Sequence, residues 1–257
     1  MPVTIHLVRH AQGYHNLSRE NESLHDPVLT EHGKQQCEEL RARFPHHSQV
    51  TRLFASPLRR TLQTCLLSFG DGETTASTQH VRLPVAAVPE LQEISDSPCD
   101  TGSDPAVLKQ EFAGLVDFYR VYDGWNSTSE WVSWQTKIAE LQARAVRARQ
   151  VLREMIQYAG DDEHVVVVTH GAFLHFLTGD YSGVEPTRAT SWGNTEYRSF
   201  QFADPEGCDP KALLVETASS WKIRNGDLPR LTQKDQEMLQ VEYYRQLEQI
   251  SDPTFGV

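Results

Sequence analysis

Two histidines in this chain stand at the ends of apolar runs. Val3 to Val8 (VTIHLV) leads into Arg9-His10, and His164 to Thr169 (HVVVVT) leads into His170-Gly171. A guanidinium beside an imidazole puts an anion binder next to a nucleophile. A third basic stretch follows Val50 to Ser56, where Pro57-Leu58-Arg59-Arg60-Thr61 opens a helix whose free N–H groups and dipole favour anions. Two acids lie on the connecting loops: Glu93 in PELQE and Asp100 in SDSPCDTGSDP. Taken singly, each has a bland alternative: a surface Arg-His pair, a solvated Arg-Arg turn, a solvated loop acid. Taken together they suit attack on phosphorus. A neutral imidazole forms and releases a phosphoryl bond, cationic donors stabilise the equatorial oxygens, and a carboxylic acid protonates the leaving alkoxide.

Other chemistries lack their residues. The chain has no HExxH, GxSxG, GxGxxG or P-loop, so zinc peptidase, serine hydrolase, dinucleotide and triphosphatase readings have no support. The four cysteines, Cys37, Cys65, Cys99 and Cys208, are scattered without a CxxC pair, which points to free thiols. No metal and no cofactor is expected. The net charge of −11 disfavours nucleic acid and anionic membrane as partners, and it makes any phosphate site a local positive pocket in an acidic protein. No run approaches the roughly 18 apolar residues of a membrane span. Met1 passes directly into the first strand without a leader, so cytoplasm, or also nucleus, is the expected location.

The elements that must position these residues follow from patterning. At 257 residues, with 39% hydrophobic and 23% charged, the chain suits one globular domain. Short β-branched runs at Val3–Val8, Val50–Ser56, Val85–Val88 and His164–Val168 read as strands. The four consecutive valines mark a strand buried on both faces, as in a parallel sheet. Arg198–Ala203 and Ala212–Glu216 read as an antiparallel hairpin at the sheet edge. Thr30 is placed to cap a helix ending at Pro45, with Cys37, Leu40 and Phe44 inward. A long amphipathic helix is expected over 135–159, with Arg144, Arg147 and Arg149 on a solvated face, and a charged helix over 233–250, outside the core or frayed. His175 on the helix after His170 reads as a packing histidine, and Asp26-Pro27 as a loop former. Residues 95–135 read as a cap-like insertion. Its aromatic part (Phe112, Phe118, Tyr119, Tyr122, Trp125, Trp131, Trp134) either contacts substrate or packs the cap onto the domain.

In this order the blocks resemble the histidine phosphatase superfamily, also called phosphoglycerate mutase-like. LVRHAQGYHN looks like its RHG signature, with Ala11 where Gly is usual. Asp26-Pro27-Val28-Leu29-Thr30 with Gly33 and Gln36 is similar to its DxxLTxxGxxQ block. SPLRRTLQT, PELQE and VVVVTHG match three more, so most of residues 3–175 is covered. The resemblance implies a three-layer α/β/α fold with a mostly parallel central sheet plus the helical and loop cap, in a single domain over 1–257. It implies His10 as the phosphorylated nucleophile, Arg9, Arg60 and His170 as the phosphate pocket with Asn16 on the same oxygens, and Glu93 as proton donor, Asp100 standing in reserve. Ala11 adds a methyl that could narrow the site, and Arg59 occupies the variable rim position. The expected partner is a small phosphorylated substrate, and a homodimer is compatible with the family. NTEYRSF resembles a late block of fungal members and suggests a fungal phosphatase branch. The family's glycolytic mutases carry a longer, basic segment after the LxE block. Here that segment is acidic, which favours phosphomonoester hydrolysis over mutase-type transfer or non-catalytic binding of a phospho-ligand.

Overall fold

The protein is represented by a computed structural model that describes residues 2–70, 83–127, 134–160, 162–184 and 189–251. The polar residues 70–79 (GDGETTASTQ) have the composition of a loop; of these 71–79, like Trp131 and the side chain of Trp134, lie outside the described residues. Among those described, the strands are β1 (Thr4–Arg9), β2 (Val50–Ala55), β3 (Val85–Ala87), β4 (Val116–Asp117), β5 (His164–Thr169), β6 (Tyr197–Phe202) and β7 (Leu214–Glu216). The helices are α1 (Glu31–Arg43), α2 (Arg59–Phe69), α3 (Pro105–Glu111), α4 (Trp134–Met155), α5 (Gly171–Thr178), α6 (Ala218–Asn225) and α7 (Gln233–Ser251). The strands join in the order β4-β3-β2-β5-β1-β6-β7. The first five are mutually parallel, and β6 and β7 add antiparallel at one edge.

The valine run explains why β5 is central. Val165 and Val167 face one side of the sheet, Val166 and Val168 the other, and all four are buried. Burying each is worth roughly 1.5–3 kcal/mol over leaving it exposed. On the first side Ile5, Leu7 and Phe54 join them against α4, α5 and α7; on the second Val8, Leu53 and Ala55 pack against α1 and α2. This is the three-layer α/β/α fold with a mostly parallel sheet. Thr30 caps α1 as expected, its hydroxyl accepting from the Gly33 N–H at 2.9 Å.

Several expectations change. The C-terminal helix neither frays nor stays outside: Tyr243 and Leu247 of α7 enter the core, and the Tyr243 hydroxyl donates to the Ala189 carbonyl at 2.9 Å. Arg144 and Arg149 leave the solvated face assigned to them; only Arg147 stays exposed. Arg149 is buried and donates to the Phe176 and Leu177 carbonyls, which lie in the last turn of α5. A cation there answers the negative end of the helix. The last strand starts at Leu214, because Ala212 takes a positive φ of 48° that extended backbone does not allow. Residues 105–111 form α3 within the segment expected as a helical and loop cap, and β4 from the same segment extends the main sheet.

Within 95–135, residues 95–100 reach the cavity described below, whereas Phe112, Phe118 and Trp125 pack into the core beside β2 and β3. These rings therefore follow the packing alternative, and Tyr119 and Tyr122 point to solvent. Trp125 fits because residue 102 is glycine: a Cβ there would lie 2.2 Å from its ring.

Candidate active site

The parallel register Arg9↔Thr169 places His10 and His170 at adjacent strand ends, and β2 brings Ser56 alongside. Ligands of open α/β sheets collect at such carboxyl ends. A cavity of about 650 Å³ opens there, and Arg9, His10, Asn16, Arg60, Glu93 and Asp100 contribute to its wall.

His10 is buried, its ring centroid 5.2 Å from that of His170. Its Nδ1 lies 2.7 Å from the Ala11 carbonyl, which only accepts, so Nδ1 carries the proton and Nε2 keeps its lone pair. The Arg60 Nε stands 3.4 Å from that Nε2. Burial, and then the charges of Arg60, His15 and Arg9, hold the imidazole's pKa well below its usual value, so the ring is neutral at physiological pH. His170 is held neutral in the same way, by burial and then Arg60. Its Nδ1 accepts from Arg60 Nη2 at 3.1 Å and its Nε2–H donates to Ser56 Oγ at 2.9 Å.

Arg60 sits at the centre of the site, fully buried. Its Nη1 donates to the Cys99 carbonyl at 2.5 Å, and its Nη2 pairs with Asp100 at 2.7 Å. The other Asp100 oxygen accepts from the Ser95 hydroxyl. The expected anion site at the α2 N-terminus is replaced by this side chain, because the first α2 N–H, that of Arg59, is already taken by Asp26 Oδ1 at 3.0 Å. The second Asp26 oxygen accepts from the Ser103 N–H and hydroxyl. Asp26 thus ties the loop after Glu93 to the helix bearing Arg60, a stronger version of the loop-forming role read from sequence. Arg59 itself pairs with Glu111 at 2.8 Å and stays out of the cavity wall.

Glu93 meets the N-terminus of α5: Oε1 accepts from the Phe173 N–H at 2.9 Å and Oε2 from the Ala172 N–H at 3.3 Å. Burial and the facing charge of Asp100 nonetheless push its carboxyl up to about 7. Arg144 fixes its loop by donating to the Gln92 and Glu93 carbonyls, which is why that arginine is not solvated. Asn16 accepts from the Gly13 N–H at 3.0 Å and faces the cavity mouth.

The remaining motif residues hold backbone. Thr64 Oγ1 accepts from the Ala11 N–H, Gln36 from the Gln12 N–H and Gln63 from the Leu29 N–H. The Ala11 methyl turns away from the cavity to pack with Leu29 and Cys37, so it does not narrow the site. Gly33 is needed because a Cβ there would come within 2.1 Å of the Gln12 carbonyl oxygen. Sequence reasoning missed His15, whose ring stands beside His10, and Asn194, whose amide donates to the His10 carbonyl at 2.9 Å. It also missed the Trp192 carbonyl, which accepts from Arg9 Nη1 at 2.5 Å. A second histidine five residues past His10, in YHN, was a signal for the first. His175 is a packing histidine as expected, bonded to the Asp180 carbonyl and Thr190. Among the described residues no group of three or more His, Cys, Asp or Glu is placed to hold a metal, and no helix is long and apolar enough to cross a membrane.

A family model described as the histidine phosphatase superfamily, branch 1, matches residues 5–214. The chain belongs to this superfamily. It is 28% identical over 241 residues to a phosphoglycerate mutase-like protein of Arabidopsis thaliana, covering 78% of this chain and 84% of that one. Over 113 residues, 43% of this chain and 50% of the other, it is 30% identical to a probable phosphatase of Schizosaccharomyces pombe. Plant and fission-yeast relatives both appear, so the similarity does not single out the fungal branch suggested by NTEYRSF. Among solved structures, a putative α-ribazole-5′-phosphate phosphatase from Escherichia coli superposes with a TM-score of 0.50 at 19% identity, over 84% of this chain and 95% of that one. That likeness is one of fold.

Proposed function

We propose that this phosphatase hydrolyses a small phosphomonoester through a phosphohistidine on His10, without a metal. The observation that carries the reading is the tautomer of His10: Nδ1–H is anchored on the Ala11 carbonyl, so a neutral Nε2 lone pair is left beside Arg60. In the first step that lone pair forms the N–P bond while the P–O bond to the leaving group breaks. Arg9, Arg60 and Asn16 surround the equatorial oxygens and offset their charge, while His170, with both its nitrogens engaged, holds Arg60 in place. Glu93, whose carboxyl is pushed up to about 7, holds a proton at neutral pH and gives it to the departing alkoxide. In the second step the Glu93 carboxylate takes a proton from water, the hydroxide oxygen bonds to phosphorus, and the N–P pair returns to Nε2. Asp100 is the less suited acid, since it stands in a buried ion pair with Arg60. Hydrolysis is favoured over transfer by the acidic stretch around Asp96 and Asp100 on the cavity wall.

The test is p-nitrophenyl phosphate hydrolysis across pH 4 to 8 with EDTA present, wild type against His10→Ala. Turnover that survives EDTA and disappears in the variant is expected, together with an acid-labile phosphoryl label on wild type alone. Activity retained by His10→Ala would remove His10 as nucleophile.

A further inference from the structure

The 3-10 turn Tyr14–Asn16 carries a third imidazole into the cavity. His15 lines it beside His10, the two ring centroids 5.4 Å apart and tilted by 45°. The ring is fixed in place. It folds back over Gly13, where an added Cβ would lie 2.8 Å from its Cε1 and Nδ1, and the turn itself is closed by the bond from the Gly13 N–H to Asn16. His15 Nδ1 is shut off from solvent and, among the described residues, has no hydrogen-bond partner. An N–H without an acceptor is dearer to bury than an idle lone pair, so the proton belongs on Nε2. That leaves Nε2 as the nitrogen to meet whatever fills the cavity that the ring lines.

We propose that His15 is a further phosphoryl-binding residue, its Nε2–H donating to an oxygen of the phosphoryl group held at His10; this rests on the reading of the cavity as a phosphate site. Arg9, His10, His15 and Arg60 all line this one cavity, and the same two guanidiniums act on both imidazoles. Burial and those two cations hold the His15 ring well below its usual value, so it meets an incoming phosphoryl group as a neutral donor. A neutral donor adds a directed bond to an anion without adding a third full charge to a buried site that already holds Arg60.

The experiment uses the full chain with 15N-labelled histidine, titrated with inorganic phosphate and with orthovanadate. At saturating phosphate the Nε2 resonances of both His10 and His15 are expected to move, the latter into the range of a hydrogen-bonded N–H. His15→Phe keeps a ring of similar volume without a donor. It is expected to weaken vanadate binding by roughly tenfold to a hundredfold, the worth of one hydrogen bond to a charged group. His15→Gln, which retains an N–H, recovers part of that loss. Vanadate binding by His15→Phe equal to wild type would overturn the proposal. So would an unmoved His15 nitrogen while His10 shifts, a readout on wild type that needs no variant to fold. If neither histidine moves at saturating phosphate, the phosphate-site reading falls and this proposal falls with it.

Discussion

Glu93→Gln separates the two candidate acids and has a calculable consequence. Glutamine keeps one oxygen for the Phe173 N–H, gives up the weaker bond from the Ala172 N–H and brings no transferable proton. Removing a general acid costs about 10²–10⁴ in rate, or about 3–5.5 kcal/mol of barrier. The loss should be large for an alkyl phosphate, whose alkoxide needs the proton, and small for p-nitrophenyl phosphate, whose phenolate leaves without it. With the Glu93 carboxyl at about 7 and His10 held neutral well below that, wild-type kcat/KM should stay level in mild acid. Above pH 7 it should fall about tenfold per unit. The variant should lack that limb. A linked effect appears in stability. Glu93 ionises near 4.5 when unfolded and near 7 when folded, so the folded state holds a proton that the unfolded chain releases, and wild type loses stability as pH rises through that window. Glu93→Gln escapes this loss and should gain up to about 3 kcal/mol relative to wild type at pH 8, read from urea midpoints. Near-normal alkyl phosphate turnover in Glu93→Gln, with the alkaline limb abolished instead by Asp100→Asn, would refute the assignment and make Asp100 the acid.

Three further outcomes are expected. Gly33→Ala forces a Cβ onto the Gln12 carbonyl, so it should cost about 1–3 kcal/mol by urea unfolding and lower kcat through the shifted turn after His10; an unchanged midpoint would contradict the close approach. Asp26→Ala strands the Arg59 N–H and both Ser103 donors, for about 1–3 kcal/mol and a raised KM as the loop carrying Asp100 loosens. His6 is held down to about 3 by burial and by facing His164 and His46, and His175 to about 4 by burial. Their unfolded counterparts take up protons near 6.5, so in Glu93→Gln, where the opposing Glu93 titration is gone, stability should fall from pH 6.5 downward by about 1.4 kcal/mol per unit for each ring, and equal urea midpoints of that variant at pH 7 and 5 would exclude this.

Strand ends were legible because burial on both faces writes itself into composition: four valines leave no other place for β5 than the centre. His10, Arg9, Arg60 and His170 follow, since a residue just past a central parallel strand has one end of the sheet to go to. Contacts made across long sequence separations were not legible. Arg144 looks like any solvated arginine on an amphipathic helix until the Gln92 and Glu93 carbonyls arrive beneath it from another element. Tyr243 sits in a helix whose charged pattern hides that one face enters the core. β4 is two residues held by backbone pairing to β3, and no side-chain period marks so short a strand. Trp125 could be assigned to packing rather than substrate only once Gly102 was seen against its ring.

The in-step pairing of β1 with β5 also frees the rest of the chain. His10 and His170 are neighbours because two rulers lie edge to edge, and the loops and helices between them have no part in setting that spacing. Residues added in a surface connection leave the pair untouched. One residue inserted within either strand would slide its histidine by about 3.3 Å and turn every following side chain to the opposite face. Insertional scanning should therefore find a chain that accepts added length along most of its surface and refuses it in two six-residue windows, Thr4–Arg9 and His164–Thr169.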